Sequence, residues 1–384
     1  MFGDGTPAVV VGGELSGLGV ARSLWRENVK VYVVAARRGP ANYSRSCRTI
    51  LAGSLHGRPL VDALLGLARR IGDGAVLLLT DEMAVDAVSR YRDELTRAYR
   101  FFLPSPDTVA LLAQKQFFQD FAERNGFAVP RSVVVEKHED LDRLGALQLP
   151  LIVKPTAKAV IHSGQAERIG KFETLDDAIA FCARMLPIAA KLIAQEWIPG
   201  PDSNIYFCLF YRGRDGKILS IFTGKKILSD PPELGTTVIC RAAPEAQHVL
   251  EPVTNAFADR IDFKGMGSIE FKRDAQGRFV MIEPTVGRAD WQEEIATLCG
   301  VNVPFAAYRD ELGLAPVPIG RVRDDIAWRA SFLKPWPKRE CRPRTRVYDG
   351  FWRWGDPLPA VQHYMIDALS RHALRPLLER AGFG

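Results

Sequence analysis

The chain has few cysteines and histidines. Its six cysteines (Cys47, Cys182, Cys208, Cys240, Cys299 and Cys341) include no C-x-x-C pair. That argues against a zinc site or a disulfide framework and points to a reducing, cytoplasmic compartment. None of the six histidines is flanked like a metal ligand, and no Ser/His/Asp or Cys/His constellation suggests covalent attack by the protein. No apolar run reaches the roughly 18 residues of a membrane span. The start, "MFGDGTPAVVVGGELSG", lacks basic residues, and Glu14 interrupts its apolar run, so it reads as a first strand and turn rather than a signal peptide. Internal repeats and low-complexity segments are also missing. Excess charge is missing from most of the chain: the net +6 lies entirely from Arg321 onward, with 13 Lys/Arg against 7 Asp/Glu, while the first 320 residues hold 38 of each.

What is present is ordinary soluble material, 47% apolar and 25% charged, in 384 residues. That length predicts two or three domains. Up to about residue 105, continuous apolar strands ("AVVVGG", "VKVYVVAA", "AVLLLT") alternate with helical segments ("SGLGVARSLWREN", "PLVDALLGLARRIG", "DEMAVDAVSRYRDEL"). This pattern predicts a parallel sheet covered on both faces. A dinucleotide site would need G-x-G-x-x-G after the first strand. Gly12, Gly13 and Gly17 are there, but Glu14 takes the second motif glycine's place, where it would obstruct and repel a pyrophosphate. An NADP-dependent oxidoreductase using Arg37 or Arg38 is the less favoured alternative.

After Pro104 and Pro106, Asp107 is placed to cap a helix from Thr108 to about Asn125, with Gly126 ending it. Strand-like segments follow at 149–156 and 191–200, separated by a polar loop and the helix "TLDDAIAFCARML". "SNIYFCLFYR" and "ILSIFTGKKI" alternate like an antiparallel pair.

The stretch "SIEFKRDAQGRFVMIEPTVGR", 268 to 288, puts Glu270 and Glu283 inside two apolar runs. With 274–277 as a four-residue loop, Ser268, Glu270, Met281 and Glu283 share one face and Ile269, Phe271, Val280 and Ile282 the other. The carboxylates are then diagonal neighbours, their alpha carbons about 7–8 Å apart. Two glutamates so close repel unless a cation lies between them. Magnesium suits such a pair, since it commonly takes one or two carboxylates plus substrate phosphates. A solvated strand face is the plain alternative, and a five-residue loop would shift the register.

Several cations could meet phosphate. Lys154 ends the strand "LPLIVKP", fixed by Pro155; Lys115 lies on an amphipathic helix; Lys171 follows the polar loop; Lys225 and Lys226 are adjacent. Each also reads as an ordinary solvated lysine. "AQEWIPGPDS" offers backbone groups for an adenine edge, with Asp202 beyond for ribose hydroxyls; a plain strand end with a Gly-Pro turn is the alternative.

The order of these pieces resembles the ATP-grasp superfamily, in particular its carboxylate–amine ligases akin to D-aspartate ligase and the predicted ATP-grasp carboligases. The carrying residues are Lys115, "GFAVP", "IVKP", "QEWIPGPD", Glu270 and Glu283, and the resemblance covers about residues 107 to 310. It implies an N-terminal Rossmann-like α/β domain (1–105), a two-lobed ATP-grasp domain (106–316) and a basic Trp/Arg-rich extension ending in a helix (317–384). It implies ATP with Mg2+ or Mn2+, and formation of an amide, or a thioester, through an acyl phosphate with release of ADP and phosphate. Lys115, Lys154 and Lys171 would bind phosphates. Gln195, Glu196 and Ile198 would hold adenine and Asp202 the ribose. Glu270 and Glu283 would be the metal ligands, with Thr285 where the family has asparagine. Lys154, Lys226 and Arg288 would serve catalysis, Arg288 standing one position late. The loop 156–171 has only Gly164 and Gly170, with His162, Ser163 and Lys171 substituting for some backbone contacts. A non-catalytic ATP-binding scaffold is the alternative. The implied substrates are a small carboxylic acid and an amine, amino acids among them, and the implied assembly is a homodimer.

The tail carries four of the seven tryptophans (Trp328, Trp336, Trp352, Trp354) among arginines. Docking of these aromatics on the catalytic domain is the expectation. A peripheral contact with a membrane or envelope precursor comes second, and nucleic acid is not expected, since no recognised module accompanies the basic residues.

Overall fold

In the computed structural model the described residues are 5–156, 169–318, 320–331 and 345–366. The chain opens with strand β1 (Ala8–Val11), helix α1 (Leu15–Trp25), β2 (Val31–Ala35), β3 (Arg48–Leu51), α2 (Gly57–Ile71) and β4 (Ala75–Leu79). Helices α3 (Glu82–Arg90) and α4 (Arg92–Leu95) and strand β5 (Tyr99–Arg100) follow. The five strands form one parallel sheet in the order β3-β2-β1-β4-β5. β1, β2 and β4 are buried along their whole length, as continuous apolar runs require. The helices close tightly on this sheet: a side chain at Gly17 would meet the Gly12 carbonyl at 1.8 Å. Glu14, at the head of α1, is exposed and lies 3.6 Å from Arg37.

The expected single helix over 108–125 is two. Ser105, not Asp107, caps α5 (Pro106–Ala113) by accepting from the Thr108 N–H. Gln114 leaves helical geometry at φ −103°, ψ 116°, and α6 (Lys115–Arg124) restarts with Lys115 in its first turn. Next come β6 (Ser132–Val135), β7 (Leu151–Pro155), β8 (Gly170–Phe172), α7 (Leu175–Ala189) and β9 (Leu192–Glu196), whose strands pair antiparallel as β6-β9-β7-β8. This small sheet has its own core, which includes Val135, Leu151, Val153, Phe181, Leu192 and Ala194.

The remaining strands are β10 (Ile205–Arg212), β11 (Ile218–Asp230), β12 (Thr236–Ala242), β13 (Gly265–Arg273), β14 (Phe279–Val286), β15 (Ile326–Arg329) and β16 (Arg346–Asp349). They build a seven-stranded sheet, β14-β13-β10-β11-β12-β15-β16, antiparallel except for the last pair. Helices α8 (Pro244–Arg260), α9 (Glu294–Leu298), α10 (Val303–Glu311) and α11 (Leu358–Val361) accompany it.

The prolines near 105 do not separate two hydrophobic cores. One core joins Val9, Val34 and Leu64 to Phe257 and Phe271. Another joins Val10 and Leu18 to Phe207, Tyr308, Trp328 and Phe351. The parallel sheet and the seven-stranded sheet are therefore one packed body, and the small sheet is the separate lobe.

Described parts of the extension expected from 317 onward are likewise built into that body, through Ile326, Trp328, Ala330, Phe351 and Ala360. Trp328 on β15 is fully buried and donates its indole N–H to Glu294 at 3.0 Å. Trp354 is 91% exposed and Trp352 is 38% exposed; Trp336 and the end of the expected terminal helix lie outside the described residues.

The buried Arg22 of α1 ties the first helix to the segment 350–356. Its guanidinium pairs with Asp356 at 2.9 Å and donates to the Gly350 and Phe351 carbonyls, while Ser44 and the Arg45 N–H also reach Asp356. Removing one partner of a buried pair leaves the other uncompensated. Asp356→Ala should lower unfolding stability by about 3 kcal/mol, read as a shift of the urea midpoint; an unchanged midpoint would refute the clamp.

Candidate active site

The cleft between the small sheet and the seven-stranded sheet has a cavity volume of about 160 Å3. Strand alternation supplies its walls. On β7, Leu151 and Val153 enter the small core while Ile152 and Lys154 face the cleft. On β9, Leu192 and Ala194 point inward and Gln195 lines the cleft, followed by Glu196, Trp197 and Ile198. Opposite stand Ile205, Lys226, Glu270, Lys272, Ile282 and Glu283, with Lys115 from the start of α6.

The glutamate hairpin differs from its sequence reading in register. The loop has five residues, since Arg273 pairs with Phe279, Lys272 with Val280 and Phe271 with Met281. Continued regularly, that register would set Glu270 and Glu283 on opposite faces. A β-bulge between Glu270 and Phe271 absorbs one residue, and Glu270 then pairs directly with Glu283 and Ser268 with Thr285. The carboxylates are directly opposed, not diagonal. Met281 joins Phe271 in the core, and Ile282 turns to the cleft. The Met281 N–H donates to the Ala128 carbonyl at 2.8 Å, so the bulged strand is held from outside its own ladder.

Two cations hold the opposed pair. Lys226 approaches Glu270 at 2.9 Å, with both groups largely buried, and Lys115 lies 3.8 Å from Glu283. Burial pushes the Glu270 carboxyl up; Asp290 and Glu283 add to that, and Lys226 opposes it without cancelling it. Burial alone would lower Lys226, but Glu270, Asp290 and Glu283 outweigh it and leave its ammonium raised. The carboxylates around the pair push both groups upward, but burial is the larger cause for Glu270 and opposes the shift of Lys226. Lys225, on the other face of β11, pairs with Glu245 at 3.4 Å, so Lys226 is the lysine of that pair in the cleft.

Other expected residues sit differently. Asp202 does not line the cleft: it is buried and accepts from the Ser229 N–H at 2.7 Å and the Glu233 N–H at 3.0 Å. Its two oxygens clamp the loop after β11, where Glu233 adopts φ +66°. Lys171 does not line the cleft: it lies between Glu173 at 3.2 Å and Glu233 at 3.4 Å, with its nitrogen 5.3 Å from the Trp197 ring. Thr285 is buried two residues beyond Glu283, on the same face. Arg288 follows the turn at Gly287, donates to the Ala289 carbonyl and lies 4.0 Å from Asp290. The Gln195 amide donates to Gln119 at 3.0 Å, and Glu196 accepts from the Gln148 N–H at 2.9 Å. His162, Ser163 and Gly164 lie outside the described residues. Lys272, Trp197 and Glu233 are cleft residues the sequence reading passed over; Lys272 was detectable, because alternation puts it on the face of Ser268 and Glu270.

Among the described residues no three His, Cys, Asp or Glu side chains group into a self-sufficient metal site. Two opposed carboxylates and a hydroxyl fit a hard cation that takes its remaining oxygens from a phosphate ligand. They do not fit zinc or another metal that requires nitrogen or sulfur.

No protein-family profile matches the chain. Sequence comparison aligns it with D-aspartate ligase of Enterococcus faecium (strain Aus0004), 23% identical over 318 residues, 77% of this chain and 74% of that protein. D-Alanine–D-alanine ligase of Chromohalobacter salexigens is 28% identical over 178 residues, 45% of this chain and 55% of that protein. Among solved structures, an ADP complex of N5-carboxyaminoimidazole ribonucleotide synthetase superposes with a TM-score of 0.64 at 16% identity, covering 83% of this chain and 79% of that one. The biotin carboxylase domain dimer of Hydrogenobacter thermophilus 2-oxoglutarate carboxylase, bound to MgADP, gives 0.65 at 14% identity, covering 85% and 74%.

Just beyond the hairpin, Glu293 is buried with one carboxyl oxygen unpartnered. Burial, then Asp290, raises its pKa from 4.5 to about 8. A carboxyl raised in the fold binds a proton that the unfolded chain has lost, so its contribution falls as pH rises from about 4.5 to about 8. The loss is about 1.4 kcal/mol per pH unit across that window. Glu293→Gln should flatten the decline of the melting temperature over the same range; parallel curves for the two proteins would contradict the assignment.

Proposed function

We propose that this chain, which has the ATP-grasp fold, is an ATP-dependent, ADP-forming carboxylate–amine ligase working through an acyl phosphate. The observation that carries the reading is the direct opposition of Glu270 and Glu283 in a cleft that also gathers Lys115, Lys154 and Lys226. Bound Mg2+ or Mn2+ would neutralise charge on the β- and γ-phosphates, with Glu270 and Glu283 as its ligands and the Thr285 hydroxyl as a third. Lys115, Lys154 and Lys226 spread the remaining phosphate charge. Gln195, Glu196 and Ile198 form the base end. Asp202 acts on the nucleotide only through the loop that it clamps.

A carboxylate oxygen of the first substrate attacks the γ-phosphorus and ADP leaves. The amine nitrogen of the second then attacks the acyl carbon, phosphate leaves, and the surplus amine proton passes to solvent. The protein positions the reactants and neutralises charge; none of its groups is consumed. The sequence relatives are named for D-aspartate and D-alanine, which favours amino acids as substrates here, with Arg288 facing the acceptor's carboxylate. Assembly as a homodimer follows the dimeric neighbour.

A coupled ADP-release assay across amino-acid pairs tests the reading. Lys154→Ala and Glu283→Gln should each lower turnover by about 10²–10³-fold. Turnover that survives both changes would overturn the ligase, and nucleotide binding without ADP release under every acid–amine mixture would make the chain a scaffold.

No helix among the described residues is long and apolar enough to cross a membrane. The exposed Trp352 and Trp354, their rings 5.6 Å apart, support a peripheral contact with an anionic lipid surface. Trp352→Ala with Trp354→Ala should reduce co-sedimentation with anionic liposomes about tenfold; equal sedimentation of both proteins removes the contact.

A further inference from the structure

The cleft also holds a lysine without an ion pair to the two glutamates. Lys272 lies on β13 two residues beyond Glu270, on the same face and about 7 Å further along the strand. It is 3% exposed and lines the cleft together with Lys154 and Gln195. Its Nζ makes no hydrogen bond among the described residues. The ring of Trp197 lies 4.6 Å from that nitrogen. Asp202 and Glu233 act on it only through space, the first committed to backbone N–H groups and the second 3.4 Å from Lys171.

A buried ammonium without a hydrogen-bond acceptor is costly, and the fold gains nothing evident by keeping one. Methionine would span the same distance and pack on Trp197 without that cost. A local rule broken at the wall of a binding cleft points to a ligand that supplies the missing partner. Position narrows the choice. Trp197 directly follows Gln195 and Glu196 at the base end, while Lys115, Lys226, Glu270 and Glu283 mark the triphosphate end. Lys272 stands between them.

We propose that Lys272 is a nucleotide-binding residue whose ammonium, seated over Trp197, donates hydrogen bonds to the oxygens of the ribose–α-phosphate section. The inference rests on the reading of the cleft as an ATP site and adds to it a contact on the large-sheet wall. It explains why the isolated protein tolerates an unsatisfied cation: the bound nucleotide satisfies it.

Calorimetric titration of the full chain with ADP and Mg2+, with a thermal melt of the unliganded protein, tests this. Lys272→Met should bind MgADP about tenfold or more weakly, while its unliganded melting temperature equals or exceeds that of the wild type. Lys272→Gln, which keeps a neutral donor, should fall between the two in affinity. A residue that served only structure would behave oppositely, with a lower unliganded melting temperature and unchanged affinity, and that result overturns the proposal. Equal affinity of Lys272→Met and wild type, with binding weakened by Lys154→Ala, overturns the inference and leaves the ATP site standing. Failure of the wild type to bind MgADP overturns both.

Discussion

Two carboxylates facing each other across paired strands repel, and the repulsion grows as water is withdrawn. Glu270 and Glu283 are held in this arrangement at the floor of the cleft, and much of the surrounding structure follows from it. Lys226 and Lys115 compensate the charge from β11 and from the first turn of α6. The arrangement survives because the strands cannot relax: β13 lies between β10 and β14, its other face is sealed into the large core through Ile269 and Phe271, and the bulge is pinned through Ala128. The fold thus holds two opposed carboxylates and two lysines together in the cleft.

The division of hydrophobic cores gives that site its two walls. The parallel sheet and the seven-stranded sheet share apolar cores and form one body. The small sheet has a separate core and meets the body across the cleft. A nucleotide bound there would touch both, so its binding energy would add to the cohesion of the lobes. Lys154 and Gln195 come from one wall, and Lys226, Glu270, Lys272 and Glu283 from the other.

Charge in the C-terminal quarter serves two ends. Arg22 and Asp356 form a buried pair between the first helix and the last described segment, and Arg353 reaches the buried Glu294, which also holds the Trp328 indole. These contacts make 326–331 and 345–356 part of the body. Trp354 stays in water, so the aromatic residues of one compositional stretch separate into anchors and surface.

The sequence by itself determined the parallel sheet of the first hundred residues, the two glutamate-bearing strands and the lysines at strand and helix ends. Each rests on local periodicity, a cap or a strand terminus, and those signals act over a few residues. The relation between the glutamates was decided only in three dimensions. A five-residue loop shifts the register by one and a bulge restores it, and neither can be read from alternation, which fixes faces but not pairing partners. The same holds for Asp202, whose nearness to the base segment suggested ribose until the loop after β11 folded back onto its oxygens. For Trp328 docking on the catalytic domain was the expectation, and only the pairing of β15 with β12 made it part of the sheet itself. Long-range pairing and burial decided these cases, because both depend on residues far apart in the chain.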